Sequence, residues 1–170
     1  EIGEGKGKGT TINIPLEPQS DDDVFREAFD EIVVPAVQTY KPDLLVMQLG
    51  VDMLHSDPLT DLNMTDSSYA YAVKSALAFG FPLLAVGGGG YNRDVYIRTN
   101  ALLWSIMNGI DAEEDWRGLV GGVLIGDPGA PAVGLREPRR YTVGEAKHRA
   151  VDSVRRTIAW LKQNIPLLGP

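Results

Sequence analysis

The sequence predicts an α/β fold, three layers deep, with a mainly parallel sheet. Three features point there. Residues 44–49, Leu-Leu-Val-Met-Gln-Leu, form an apolar run interrupted only by Gln48 and bounded by Lys41-Pro42 and Gly50. Residues 82–86, Pro-Leu-Leu-Ala-Val, form a second run, which four consecutive glycines end. Between them Tyr69, Val73, Ala76 and Leu77 recur at helical spacing. Short apolar runs without polar alternation are expected for strands buried on both faces of a parallel sheet. Parallel neighbours in turn need a crossover, usually a helix.

Composition sets the outer limits. The chain has 170 residues, 44% of them hydrophobic and 23% charged, which is a globular balance with enough length for a real core. The net charge of −7 excludes nucleic-acid binding through bulk charge, but leaves a basic protein or a lysine side chain as partner. No apolar run approaches the ~20 residues that span a bilayer, and no signal-peptide pattern is present. Cysteine is absent, so disulfides, thiolate nucleophiles and cysteine metal sites are excluded. Histidine occurs only as His55 and His148.

In chain order, residues 1–9 alternate glycine with charge. A phosphate-binding glycine loop follows a strand and opens a helix; this one precedes a predicted strand, Thr11–Pro15, and reads as a surface loop. Its abrupt opening reads as a cut end. Ser20-Asp-Asp-Asp23 offers an N-cap and an acidic first turn. Phe25, Phe29, Ile32, Ala36 and Tyr40 continue as a helix that Pro35 should kink or split near Val34. Lys41-Pro42 ends it before the central strand, giving a strand–helix–strand unit. Thr65-Asp66 caps the next helix and Gly80 closes it. Asn92 caps a helix reaching about Met107, which Asn108-Gly109 ends. Residues 1–109 therefore read as core βαβ units. Residues 110–141 are rich in Gly and Pro and read as loops and turns, with Trp116 tucked onto the core. Thr142-Val-Gly-Glu145 reads as a capping box for a terminal helix over 142–165, stopped by Pro166, with His148 on its surface.

The chemistry concentrates at two predicted strand ends. Ligands of open α/β sheets collect beyond the carboxyl ends of the strands. The first strand delivers Asp52, a carboxylate able to ligate a metal or simply to cap the turn. His55 reads as a loop histidine and Asp57-Pro58 as a turn starter. The second strand delivers Gly87–Gly90, whose freedom lets the backbone approach a ligand closely, and then Tyr91. Tyr91 is either a packed aromatic at a helix start or a hydroxyl donor to a developing oxyanion.

Gly50-Val-Asp52, Asp57-Pro-Leu59, Asn63-Met-Thr65 and Gly87–Tyr91, in that order, resemble the zinc-dependent histone deacetylase superfamily, closest to its bacterial acetoin-utilisation branch. The resemblance covers nearly the whole chain but only the back half of that family's catalytic domain. It implies the arginase/deacetylase fold and hydrolysis of an acetyl-amide, on acetyl-lysine or another acetylated amine, by a Zn²⁺-activated water in a cytoplasmic enzyme. It implies that Asp52 is a metal ligand and Tyr91 the catalytic oxyanion donor. Gly89 and Gly90 would line the substrate channel and Met64 would form part of its wall. The family's Asp-x-His ligand pair and its paired histidines have no counterpart in this sequence. The 170-residue chain alone is therefore expected to be inactive, with an open sheet edge prone to self-association. Two non-catalytic alternatives stand beside it: a module binding an anion at Gly87–Gly90, and an assembly subunit completed by a partner chain.

Overall fold

The structure, a computed structural model, describes residues 1–110 and 135–168. The chain runs α1 (Asp22–Ala28), a π-helical turn (Phe29–Val33), α2 (Val34–Tyr40), β1 (Leu45–Leu49), α3 (Asp66–Ala78), β2 (Leu83–Gly87), α4 (Arg93–Met107) and α5 (Gly144–Asn164). The strands β1 and β2 pair in parallel, with Met47 opposite Ala85 and Leu49 opposite Gly87. The crossover between them is α3. The fold is α/β, in keeping with the arginase/deacetylase type.

Most predicted boundaries follow from local chemistry. Pro35 lacks the N–H that would bond one turn back. The helix answers just before it with a π turn, in which Val34 N–H reaches the carbonyl of Phe29. Lys41 ends α2 in the left-handed region at φ 51°. Thr65 caps α3 through its hydroxyl on Ser67 N–H, and Asn92 caps α4 through its amide oxygen on Val95 N–H.

Three expectations need correction. Thr11–Pro15 forms no strand, because no ladder partner lies beside it among the described residues. Ile12, Ile14 and Leu16 instead pack against α1 and α5. The strands are not buried on both faces: Val46 is 57% exposed and Leu84 50%. Helices α3 and α4 pack together on the other face, over Met47, Leu49 and Ala85. An apolar run states what a strand can bury, while coverage depends on where helices land. The capping box at Thr142 does not form. Its hydroxyl donates to Gln19 O at 2.7 Å and accepts from Asn63 Nδ2 at 2.8 Å, so α5 begins at Gly144 without a side-chain cap. The acidic run at α1 forms the predicted N-cap and acidic first turn, with Asp21 accepting from Val24 N–H. Trp116 and most of the predicted 110–141 loop region lie outside the described residues.

That acidic run ties the molecule together. Asp21 is 0% exposed and caps α1 at Val24 N–H. It also accepts from Thr142 N–H at 3.0 Å and from Lys147 Nζ at 2.6 and 2.7 Å, fastening α5. Burial alone would raise its pKa; Lys147 and the two amides outweigh burial and hold it below the usual range. Asp22 accepts from Thr65 N–H at 2.8 Å, Thr65 Oγ1 at 2.6 Å and Ser68 Oγ at 2.5 Å, fastening the start of α3. Two apolar cores result. One lies between the sheet and α3–α4, the other joins α1, the π turn and α5 through Val24, Ile32, Val154 and Leu161.

Candidate functional site

Because β1 and β2 run parallel, both strand ends open onto one edge. The loops after them are stitched together there. Val51 N–H donates to Gly89 O at 2.7 Å, and Tyr91 N–H donates to Asp57 Oδ2 at 2.6 Å. Asn92 Nδ2 donates to the carbonyl of Ser56 at 3.0 Å. The other oxygen of Asp57 accepts from Leu59 N–H at 2.9 Å, forming the predicted Asx turn. Asp57 is thus both a turn former and the clamp between loops, and the second role has no signature in sequence.

Asp52 lies directly against Gly89. A Cβ at position 89 would stand 2.1 Å from Asp52 Oδ2, so only glycine leaves the carboxylate where it is. Gly90 has φ +144°, and its Cβ would meet the Tyr96 ring at 2.6 Å and Val51 Cγ2 at 2.7 Å. Tyr91 is 59% exposed, so the packed-aromatic reading does not hold and its phenol stands free at the edge. Met64 is fully buried at 0% exposure, and its backbone bridges to Leu54. It backs the 52–57 loop from inside.

Beneath this loop Tyr69 Oη accepts from Met53 N–H at 3.3 Å. Burial, reinforced by the nearby Asp52 and Asp57 carboxylates, raises its pKa far above the ordinary phenol range, so it stays neutral. His55 faces Glu137, with Nε2 3.3 Å from Oε2. Sequence reasoning singled out neither Tyr69 nor Glu137, since one reads as helix core and the other lies 82 residues beyond His55 with no motif linking them.

A catalytic zinc site takes three protein donors and leaves one position open. Among the described residues no three His, Asp or Glu side chains converge to hold a metal. Asp52 offers one carboxylate, and His55 is engaged elsewhere. These residues by themselves do not fit a zinc centre. Asp57 already takes the Tyr91 N–H just before α4, which removes one donor an anion could use. No helix among the described residues is long and apolar enough to cross a membrane.

The family model of the Histone deacetylase domain matches residues 1–107, which holds both strands and the whole paired edge. Histone deacetylase 9 of Arabidopsis thaliana is 38% identical over 110 residues, 65% of this chain and 25% of that protein. Histone deacetylase RPD3 of Saccharomyces cerevisiae is 32% identical over 115 residues, 68% of this chain and 27% of that protein. Histone deacetylase HDAC1 of Drosophila melanogaster is 36% identical over 105 residues, 62% of this chain and 19% of that protein. The chain spans about a quarter of the length of the curated relatives it matches. With the match covering more than half of its residues, the chain belongs to the histone deacetylase domain family.

Proposed function

We propose that this chain forms the tyrosine-bearing part of a zinc-dependent deacetylase that cleaves an acetyl-amide, on acetyl-lysine or another acetylated amine. One observation carries the reading: the parallel pair brings Asp52 and Gly89–Tyr91 to a single stitched edge. Asp52 would be one ligand of a metal whose other donors the whole protein supplies. The described residues do not complete that metal's site. The chain's own contribution is positional. Gly89 and Gly90 let the backbone close onto Asp52, Tyr96 and Val51 with no side chain between, and would line the substrate channel through that backbone. The exposed Tyr91 hydroxyl donates to the carbonyl oxygen as it turns anionic in the tetrahedral transition state. Asp57, by holding Tyr91 N–H, sets where that hydroxyl starts from. Met64 would serve as the inner layer of the channel wall. The finer placement nearest the bacterial acetoin-utilisation branch belongs to the same proposal and rests on Gly50–Asp52, Asp57–Leu59, Asn63–Thr65 and Gly87–Tyr91 in that order; a cytoplasmic location is proposed with it.

The chain alone should be inactive. It lacks the paired histidines, and a positioned acid–base group is typically worth ~10²–10⁴-fold. The test has two arms. The purified chain, given excess Zn²⁺ and an acetyl-lysine peptide, should show no turnover above its Asp52→Ala variant; activity lost in that variant would overturn the inactivity. In a longer protein that carries this chain, Tyr91→Phe should lower kcat by about 10²–10³-fold, the effect of removing one oxyanion donor. An unchanged kcat would remove the oxyanion role.

A second reading, an assembly module, is favoured by the exposed apolar sheet face at Val46 and Leu84. Light scattering at rising concentration separates the two: the assembly module requires reversible self-association or a partner chain.

A further inference from the structure

We propose that Glu137, from a segment beyond the family match, is a positioning residue that locks the Asp52 loop to the helix carrying Tyr91. This rests on reading the 52/91 edge as the functional site. The Glu137 side chain is 9% exposed and uses both oxygens. Oε2 faces His55 Nε2 at 3.3 Å and Arg98 Nη2 at 3.2 Å. Oε1 accepts from Asp66 N–H at 3.1 Å, and Asp66 Oδ2 returns the bond by accepting from Glu137 N–H at 2.8 Å. Arg136 Nη1 lies 3.8 Å from the remaining oxygen of Asp66.

These partners come from three elements. His55 stands between Asp52 and Asp57 in the loop after β1. Arg98 sits one and a half turns into α4, whose N-terminus follows Tyr91. Asp66 opens α3. A single carboxylate therefore fixes the three parts whose relative position decides where Asp52 meets Tyr91. The direct stitches between the loops, Val51 to Gly89 and Tyr91 to Asp57, hold the backbone at the edge itself. Glu137 holds it from behind. It reaches the site through His55 and Arg98 and touches neither Asp52 nor Tyr91 in any bond above.

Amide hydrogen exchange on the full 170-residue chain tests this without reference to catalysis. Glu137→Ala should speed exchange at the Val51, His55 and Tyr91 amides by about tenfold. The Phe25 and Ile165 amides, which bond to Asp21 and Leu161 in the other core, should change by less than about twofold. Glu137→Gln keeps one acceptor oxygen; turned to Arg98, it gives up the Asp66 bond and the charge facing His55, and should restore protection in part, at Tyr91 more than at His55. In the double variant with His55→Ala, Val51 should exchange no faster than in Glu137→Ala alone. Acceleration spread evenly over all five amides, or none at Val51 and Tyr91, would overturn the proposal. Failure of the Tyr91→Phe kinetic test would instead remove the catalytic reading and leave this exchange pattern intact.

Discussion

Consider three adjacent glycines, each replaced by alanine. The same added methyl group meets three different neighbours. At position 88 the new Cβ stands 2.7 Å from both Cα and N of Gly50. Those are backbone atoms of the neighbouring strand end, so the β1 and β2 exits must part. Overpacking of that kind costs about 1–3 kcal/mol. At position 90 the Cβ meets Tyr96 Cδ2 at 2.6 Å and Val51 Cγ2 at 2.7 Å, and the backbone has φ +144°. Backbone strain of roughly 1–3 kcal/mol adds to a similar packing cost, giving about 2–6 kcal/mol in all. At position 89 the Cβ meets Asp52 Oδ2 at 2.1 Å and Cγ at 2.7 Å, atoms of a side chain rather than of backbone. Loss of chain entropy in the unfolded state returns about 0.4–1 kcal/mol, so the net change should lie within ~1 kcal/mol of zero. Urea unfolding followed by circular dichroism should thus rank the losses Gly90→Ala, then Gly88→Ala, then Gly89→Ala near zero. In Gly89→Ala the damage appears as a displaced Asp52 carboxylate, visible as a changed side-chain carboxyl resonance. A Gly89→Ala loss equal to that of Gly88→Ala would show that Asp52 is held rigidly. A neutral Gly90→Ala would refute the left-handed geometry.

Two further outcomes follow from buried charge. Burial chiefly, with the Glu137 charge adding to it, lifts the Asp66 pKa to about 6 from 3.8. Between those values the folded state keeps a proton that the unfolded chain has lost, so stability falls as pH rises through that window. The fall amounts to roughly 3 kcal/mol; measured across pH 4 to 7, it should be present in the native chain and absent in Asp66→Asn, so that it remains in the difference between the two. A Lys147→Met variant leaves Asp21, 0% exposed, with only its amide donors. It should lose about 2–3 kcal/mol in urea unfolding and fray α5 first; a loss under ~0.5 kcal/mol would mean that water replaces the ammonium.

What the sequence determined by itself was local. The apolar runs and their glycine ends located β1 and β2. Thr65 and Asn92 marked helix starts, and Pro35 marked the break before α2, because caps and proline geometry act within one turn of chain. The order of short motifs pointed to the deacetylase family, since glycine and tyrosine types at a strand end are themselves local signals. What only the tertiary structure decided was which groups meet across long separations. Asp57 bonding Tyr91 N–H, Glu137 gathering His55, Arg98 and Asp66, and Asp21 fastening Lys147 all depend on packing that no periodicity encodes. The same holds for Thr142, whose hydroxyl the fold diverts from a capping box to Gln19. Burial also went beyond sequence: Met64 and the Asp21–Asp22 pair lie inside, while Val46 and Leu84 face out. Hydrophobicity states only the tendency of one residue, and coverage is settled by where α3, α4 and α5 come to rest.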